Sequence, residues 1–204
     1  MIARTLAVMA ASLLLLTGCT TAATPSPTPT PIVVPEPNSG SIGTRSAALQ
    51  PVRAPVPPAR VQVPSAGIDV TVQPVGIEAD GLMQLPANVA IAGWYRYGSD
   101  PESETGTTVI AAHVDSLEYG LGPFSQLKGL PAGTEVVVTT ADGATHKYLI
   151  ESVQNVLKEQ LPLDQVFDRE GAPRLVMITC GGQFNYDTLH YSDNVVATAI
   201  PVQP

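Results

Sequence analysis

Short apolar bursts separated by turn residues run through the chain from Ala59 to Val202: "RVQVP" (60–64), "IDVTVQPVG" (68–76), "GLMQLP" (81–86), "TTVIAAH" (107–113), "TEVVVTT" (134–140), "THKYLIESV" (145–153), "RLVMIT" (174–179) and "NVVATA" (194–199). They are rich in Val, Ile and Thr, and several alternate apolar with polar positions, the period of a half-buried strand. Asp142-Gly143 between two such bursts predicts a hairpin. The segments 123–128 and 162–167 each predict a turn or two of helix. About eight strands at this spacing predict an all-β domain, a closed or nearly closed barrel with short helices.

The pattern is different before residue 59. Residues 1–19, "MIARTLAVMAASLLLLTGC", have one basic residue, an apolar run from Leu6 to Leu16 and small residues ahead of Cys19. That is the layout of an export signal, and the run is shorter than the roughly 20 apolar residues of a membrane-spanning helix. An ordinary signal peptide cut near Gly18 and an uncleaved anchor are the alternatives to processing at Cys19. In residues 20–58, ten of the 39 residues are proline and most of the rest are Ser, Thr and Ala. Such a tract buries too little apolar surface to offset the entropy of ordering, so it is expected to be a disordered linker. Residues 59–204 then form one domain of ordinary size.

The net charge is −8, and the ten Lys and Arg form no basic cluster. Nucleic-acid binding, which needs a concentrated positive footprint, is thereby disfavoured.

With Cys19 in the export segment, Cys180 stands alone at the end of "RLVMITCGGQ". A leftover cysteine in an exported chain is a reactive thiol, a partner in an intermolecular disulfide, or a small hydrophobe packed in the core. A nucleophilic thiol needs a base, oxyanion donors and access. His113 closes the strand "TTVIAAH" and opens a glycine-bearing loop, a place where a rigid scaffold presents functional groups. His146 follows the Asp142-Gly143 turn and reads as an exposed hairpin residue. His190 lies in the loop after Cys180.

The segments "VIAAHVDS", "RLVMITCGGQFN" and "HYSDNVVATA", in this order and spacing, resemble the sortase transpeptidases, most closely the actinobacterial forms grouped as class E or F. "VQVPSAGIDVTVQPVGIEADGLMQLP" and "AGWYRYG" (92–98) are similar to the same group, so the resemblance covers essentially all of 59–202. It implies an eight-stranded β-barrel and a cysteine transpeptidase that cleaves the Thr–Gly bond of an LPXTG-like sorting signal. The acyl group then passes to an amine of a cell-wall precursor or pilin. Carried over by motif, Cys180 is the nucleophile, His113 the general acid and then base, and Thr179 the position that helps hold substrate. Asp115 and Ser116 are either substrate contacts or loop caps. No metal or organic cofactor is implied. "LTGC" resembles the lipobox of bacterial lipoproteins, which implies a lipid on Cys19, membrane attachment through that lipid, and a location on the outer face of the cytoplasmic membrane of a Gram-positive bacterium.

One position departs from the family. Where these relatives read "HYRDN" this chain reads "HYSDN", so Ser192 stands in place of an arginine thought to hold substrate and stabilise the oxyanion. A short neutral hydroxyl cannot replace a guanidinium fork. Arg174, Arg96 and His190 are the candidate substitutes, a slow enzyme is the second explanation, and a non-catalytic homologue that binds sorting peptides is the third. An L,D-transpeptidase would carry a Ser-His-Gly-Cys segment, which is missing.

Overall fold

The computed structural model describes residues 53–202. Eight strands close a barrel: β1 (Pro58–Val63), β2 (Ile68–Val75), β3 (Ile91–Tyr95), β4 (Thr107–Ala111), β7 (Glu135–Thr140), β8 (Thr145–Leu157), β9 (Arg174–Asn185) and β10 (His190–Pro201). Their order around the barrel is β1-β2-β3-β4-β9-β10-β8-β7. Two short strands, β5 (Asp115–Ser116) and β6 (Gly120–Leu121), pair in the loop that leaves β4. The β2–β3 and β4–β9 pairs are parallel and the others antiparallel. The all-β barrel matches the expectation from periodicity. Its helices are a 3-10 segment at Pro123–Gly129, two shorter 3-10 turns and one α-turn at Leu163–Val166.

Alternation sorts the side chains into two layers. Val61, Val63, Val70, Val72, Leu175 and Met177 point into the barrel, around Trp94 and Phe124. Val109, Ala111, Val176, Ile178 and Val196 form an outer layer, covered by Met83, Leu85, Leu161, Val166 and Phe167. Closure leaves the barrel sheet without an edge strand, and the twelve- and thirteen-residue strands β9 and β8 flank β10 along most of its length.

One expected strand is absent. Residues 81–86 make a single bridge, Ile77 with Met83, and otherwise cover the outer layer. The barrel position belongs to Ile91–Tyr95, where Gly93 lies so close to Val75 that a Cβ would meet its methyls at 2.8 and 2.9 Å. "GLMQLP" ends in a proline that cannot donate to a central ladder. The last strand also begins at His190, ahead of the apolar run at 194–199.

The chain packs from Arg53 onward, ahead of the boundary that composition places at Ala59. The Arg53 guanidinium donates twice to the Asp100 carboxylate (2.6 and 2.8 Å), and the Val56 N–H donates to the same group (3.0 Å). Asp100 is only 3% exposed, so these partners satisfy a charge that burial alone would penalise.

Candidate active site

Strands β4 and β9 bring the two central residues together. Their parallel ladder sets Ala111 opposite Ile178, and the Ala112 N–H carries it on by donating to the Ile178 carbonyl (3.1 Å). Partners across this ladder are 67 positions apart, so the same register sets His113 level with Cys180. Side chains two apart share a face. His113 follows Val109 and Ala111, and Cys180 follows Val176 and Ile178, all in the outer layer. Both residues are half-buried, and Cys180 is a free thiol. Cys19 lies outside the described residues.

Thr179 lies on β9, one residue before Cys180, and is buried. Its hydroxyl donates to the Ala112 carbonyl at 2.8 Å. In a regular parallel ladder that carbonyl would take the Cys180 N–H. The hydroxyl therefore braces the residue before His113 against the residue before Cys180.

Ser192 sits in a bulge between Tyr191 and Asp193, opposite Gly182 and Gln183. Its hydroxyl accepts the Gln183 N–H (2.9 Å). Gly182 has φ +75°, and a Cβ there would fall 2.3 Å from the Ser192 hydroxyl and 2.5 Å from the Asp193 carboxyl carbon. Only glycine fits this turn of backbone against the bulge. The serine hydroxyl serves the hairpin backbone, next to the strand that carries Cys180.

None of the three substitute residues reaches the thiol by strand geometry. Arg174 is six positions before Cys180 on β9, about 20 Å along a strand. Arg96 follows β3 at the level of residue 108, about 16 Å short of His113, and its guanidinium donates to the Tyr97 hydroxyl. His190 pairs with Asn185, five positions beyond Cys180 and again about 16 Å away. His146 stands in the β7–β8 hairpin opposite Val138, half-buried where exposure was expected, and its Nε2 has no partner among the described residues.

A cleft of about 630 Å³ opens beside the thiol. Cys180, Gly181, Asn155, Gln126, Tyr191 and Lys128 share its wall. Lys128 ends the 3-10 helix at Pro123–Gly129, is the single charged side chain lining the cleft, and forms no ion pair among the described residues. Sequence reasoning missed it; the signal available was a lysine at the end of the helical segment that follows the His113 loop. A depression of about 700 Å³ along Ser65, Pro131 and Glu135 carries neither cysteine nor histidine.

Asp115 does not cap its own loop. Its Oδ2 accepts the Tyr191 phenol, tying the loop after His113 to β10. Donation to the carboxylate pushes the phenol pKa up to about 12. Ser116 is a cap: its hydroxyl accepts the Tyr119 N–H (2.9 Å).

The family described as "Sortase domain" matches residues 61–202. No curated protein matches the chain. Among solved structures, sortase C-1 from Actinomyces oris is similar over 72% of this chain and 72% of its own, at 20% identity and TM-score 0.56. Sortase A from Corynebacterium diphtheriae is similar over 74% of this chain and 64% of its own, at 19% identity and TM-score 0.52. Its lid mutant gives 76% and 75%, at 20% identity and TM-score 0.55. At these identities the structural likeness shows the fold.

Proposed function

The chain belongs to the sortase family, and from that premise we propose that it is a cysteine transpeptidase of the class E or F type, acting on an LPXTG-like sorting signal. The observation that supports this reading is the β4–β9 register, which continued two residues past Ala111 and Ile178 leads to His113 and Cys180.

In this mechanism the Cys180 thiolate attacks the threonine carbonyl of the signal. Lys128 supplies positive charge for the developing oxyanion from the cleft beside the thiol. His113 as imidazolium gives its proton to the leaving glycine amine, and the C–N bond breaks to leave a thioacyl-enzyme. The now neutral imidazole takes a proton from an incoming amine of a cell-wall precursor or pilin. The amine nitrogen attacks the thioacyl carbon, the C–S bond breaks, and the electron pair leaves on the Cys180 sulfur. Lipid on Cys19 would hold the domain at the outer face of the cytoplasmic membrane, with the proline-rich segment that begins at residue 20 as the tether. Cys19→Ser should release the protein to the medium or stall its processing. A variant still found with membranes at the mature size would overturn the lipid anchor.

A second reading, a homologue that binds sorting peptides without turnover, is favoured by one observation. The Ser192 hydroxyl is engaged by the Gln183 N–H at the position where the family resemblance implies a guanidinium. Incubation of the protein with a panel of LPXTG-like peptides separates the two. The transpeptidase reading expects a thioacyl adduct by mass that is absent from Cys180→Ala. Binding without any adduct would establish the second.

A further inference from the structure

The tip of the β9–β10 hairpin and the β5–β6 loop enclose a second pocket, of about 550 Å³. One wall is aromatic. Phe184 meets Tyr186 and Tyr191 edge-on, at centroid distances of 5.1 and 5.0 Å. Leu117 and Leu189 stand exposed at its rim, and Asp115 is the single charged residue lining it. The Asp115 Oδ2 holds the Tyr191 phenol, and its Oδ1 accepts no hydrogen bond among the described residues. Tyr191 also lines the cleft at Cys180, so the two spaces adjoin.

The hairpin tip carries a second, independent mark. Leu189 has φ +57°, and no other non-glycine residue among those described has positive φ. The turn itself is organised by Asn185, whose Oδ1 accepts the N–H groups of Asp187 (2.8 Å) and Thr188 (3.1 Å). Glycine or asparagine would complete such a turn at lower conformational cost. A leucine there instead holds 69% of its surface in solvent at the mouth of an aromatic pocket. The flanking segments 114–122 and 183–193 hold four acids, Asp115, Glu118, Asp187 and Asp193, and no Lys or Arg. The surface is therefore apolar, aromatic and negative.

We propose that this pocket is the docking subsite for the acceptor amine, which binds as a primary ammonium on an aliphatic stem such as a lysine or diamino-acid side chain. The aromatic faces attract the cation, the free Asp115 oxygen pairs with it, and Leu117 and Leu189 cover the methylenes. A carboxylate ligand would meet like charge. Asp115 follows His113 by two residues, so the subsite lies beside the base that takes the ammonium proton, and the amine passes Tyr191 to reach the Cys180 cleft. The inference rests on the transpeptidase reading for the fate of the amine, but the binding step does not need turnover.

The test titrates the protein with Nα-acetyl-lysine methylamide and, separately, with the same probe acetylated on its side-chain nitrogen, following aromatic resonances by NMR. Expected are saturable shifts at Phe184, Tyr186 and Tyr191 with the free amine only. Asp115→Asn and Tyr186→Ala should each weaken binding roughly fivefold or more. Leu189→Gly, which relieves the backbone and keeps the turn, should weaken it as well; retained binding in that variant counts against the rim contact. Equal binding of the neutral probe, or shifts confined to other residues, overturns the subsite. In a second arm the thioacyl-enzyme is partitioned between water and the lysine probe, and the aminolysis-to-hydrolysis ratio should fall in Tyr186→Ala as binding falls. If no thioacyl-enzyme forms with any sorting peptide, the transpeptidase reading fails, and the NMR arm still decides the subsite.

Discussion

Thr179→Val removes one hydroxyl and replaces it with a methyl of nearly the same volume, in a strand where valine is at ease. The change leaves the Ala112 carbonyl without its 2.8 Å donor in a buried position. An unpaired buried polar group costs about 1–3 kcal/mol, so stability in urea should fall by that amount. Thr179 braces the backbone one residue before both His113 and Cys180. A displacement near 1 Å in a catalytic pair can cost on the order of 100-fold. The expected result is therefore a fall of roughly 10- to 100-fold in kcat for cleavage of a sorting peptide. KM should move little, because the hydroxyl, although Thr179 lines the cleft, is committed to the Ala112 carbonyl. Thr179→Ser keeps the donor and loses one methyl, so it should cost about 1 kcal/mol of stability and retain most of kcat. Suppose instead that Thr179→Val leaves stability within about 0.5 kcal/mol, the usual span of a neutral change, and raises KM at unchanged kcat. The hydroxyl would then serve the substrate, and the brace argument would be refuted.

Ser192→Arg should raise peptide cleavage by roughly 10- to 100-fold over the native protein, the reverse of losing one oxyanion donor. It should also cost about 0.5–1.5 kcal/mol of stability through the lost Gln183 N–H bond. With Cys180→Ala as blank, no rise in rate would mean that another donor already meets the oxyanion. The Tyr191 phenol, raised to about 12 by donating to Asp115, is favoured in its neutral form by folding. Its contribution to stability is thus present below the ordinary phenol value near 10 and is lost as pH rises through about 12. The phenolate absorbance of native protein minus Tyr191→Phe should rise near pH 12; a rise near 10 would contradict the bond. Lys128→Ala should lower the alkylation rate of Cys180 by anionic iodoacetate relative to neutral iodoacetamide by roughly two- to fivefold, the effect of one charge in high dielectric. An unchanged ratio would place the ammonium away from the thiol.

Local pattern in the sequence carried the strand content, the two short helical segments and the inward and outward faces of most strands, because period-two alternation is a property of neighbouring residues. It failed where that property is shared. "GLMQLP" alternates like a strand yet lies over the outer layer, while Ile91–Tyr95, with a glycine at its centre, takes the barrel position. A strand's place depends on which ladder accepts it, and here the close approach of Gly93 to Val75 decides. Motif resemblance drew attention to His113, Cys180, Thr179, Asp115 and Ser192, but a motif does not say what each side chain touches. The Thr179 hydroxyl on Ala112, the Ser192 hydroxyl on Gln183 and the Asp115 carboxylate on Tyr191 join residues 67, 9 and 76 positions apart. Lys128 reaches the thiol's cleft from a helix on another part of the chain. Sequence alone determined the alternation and the chemical inventory. Closure of the barrel decided the partners, because a ladder's register pairs residues by their position around the sheet and not by their distance along the chain.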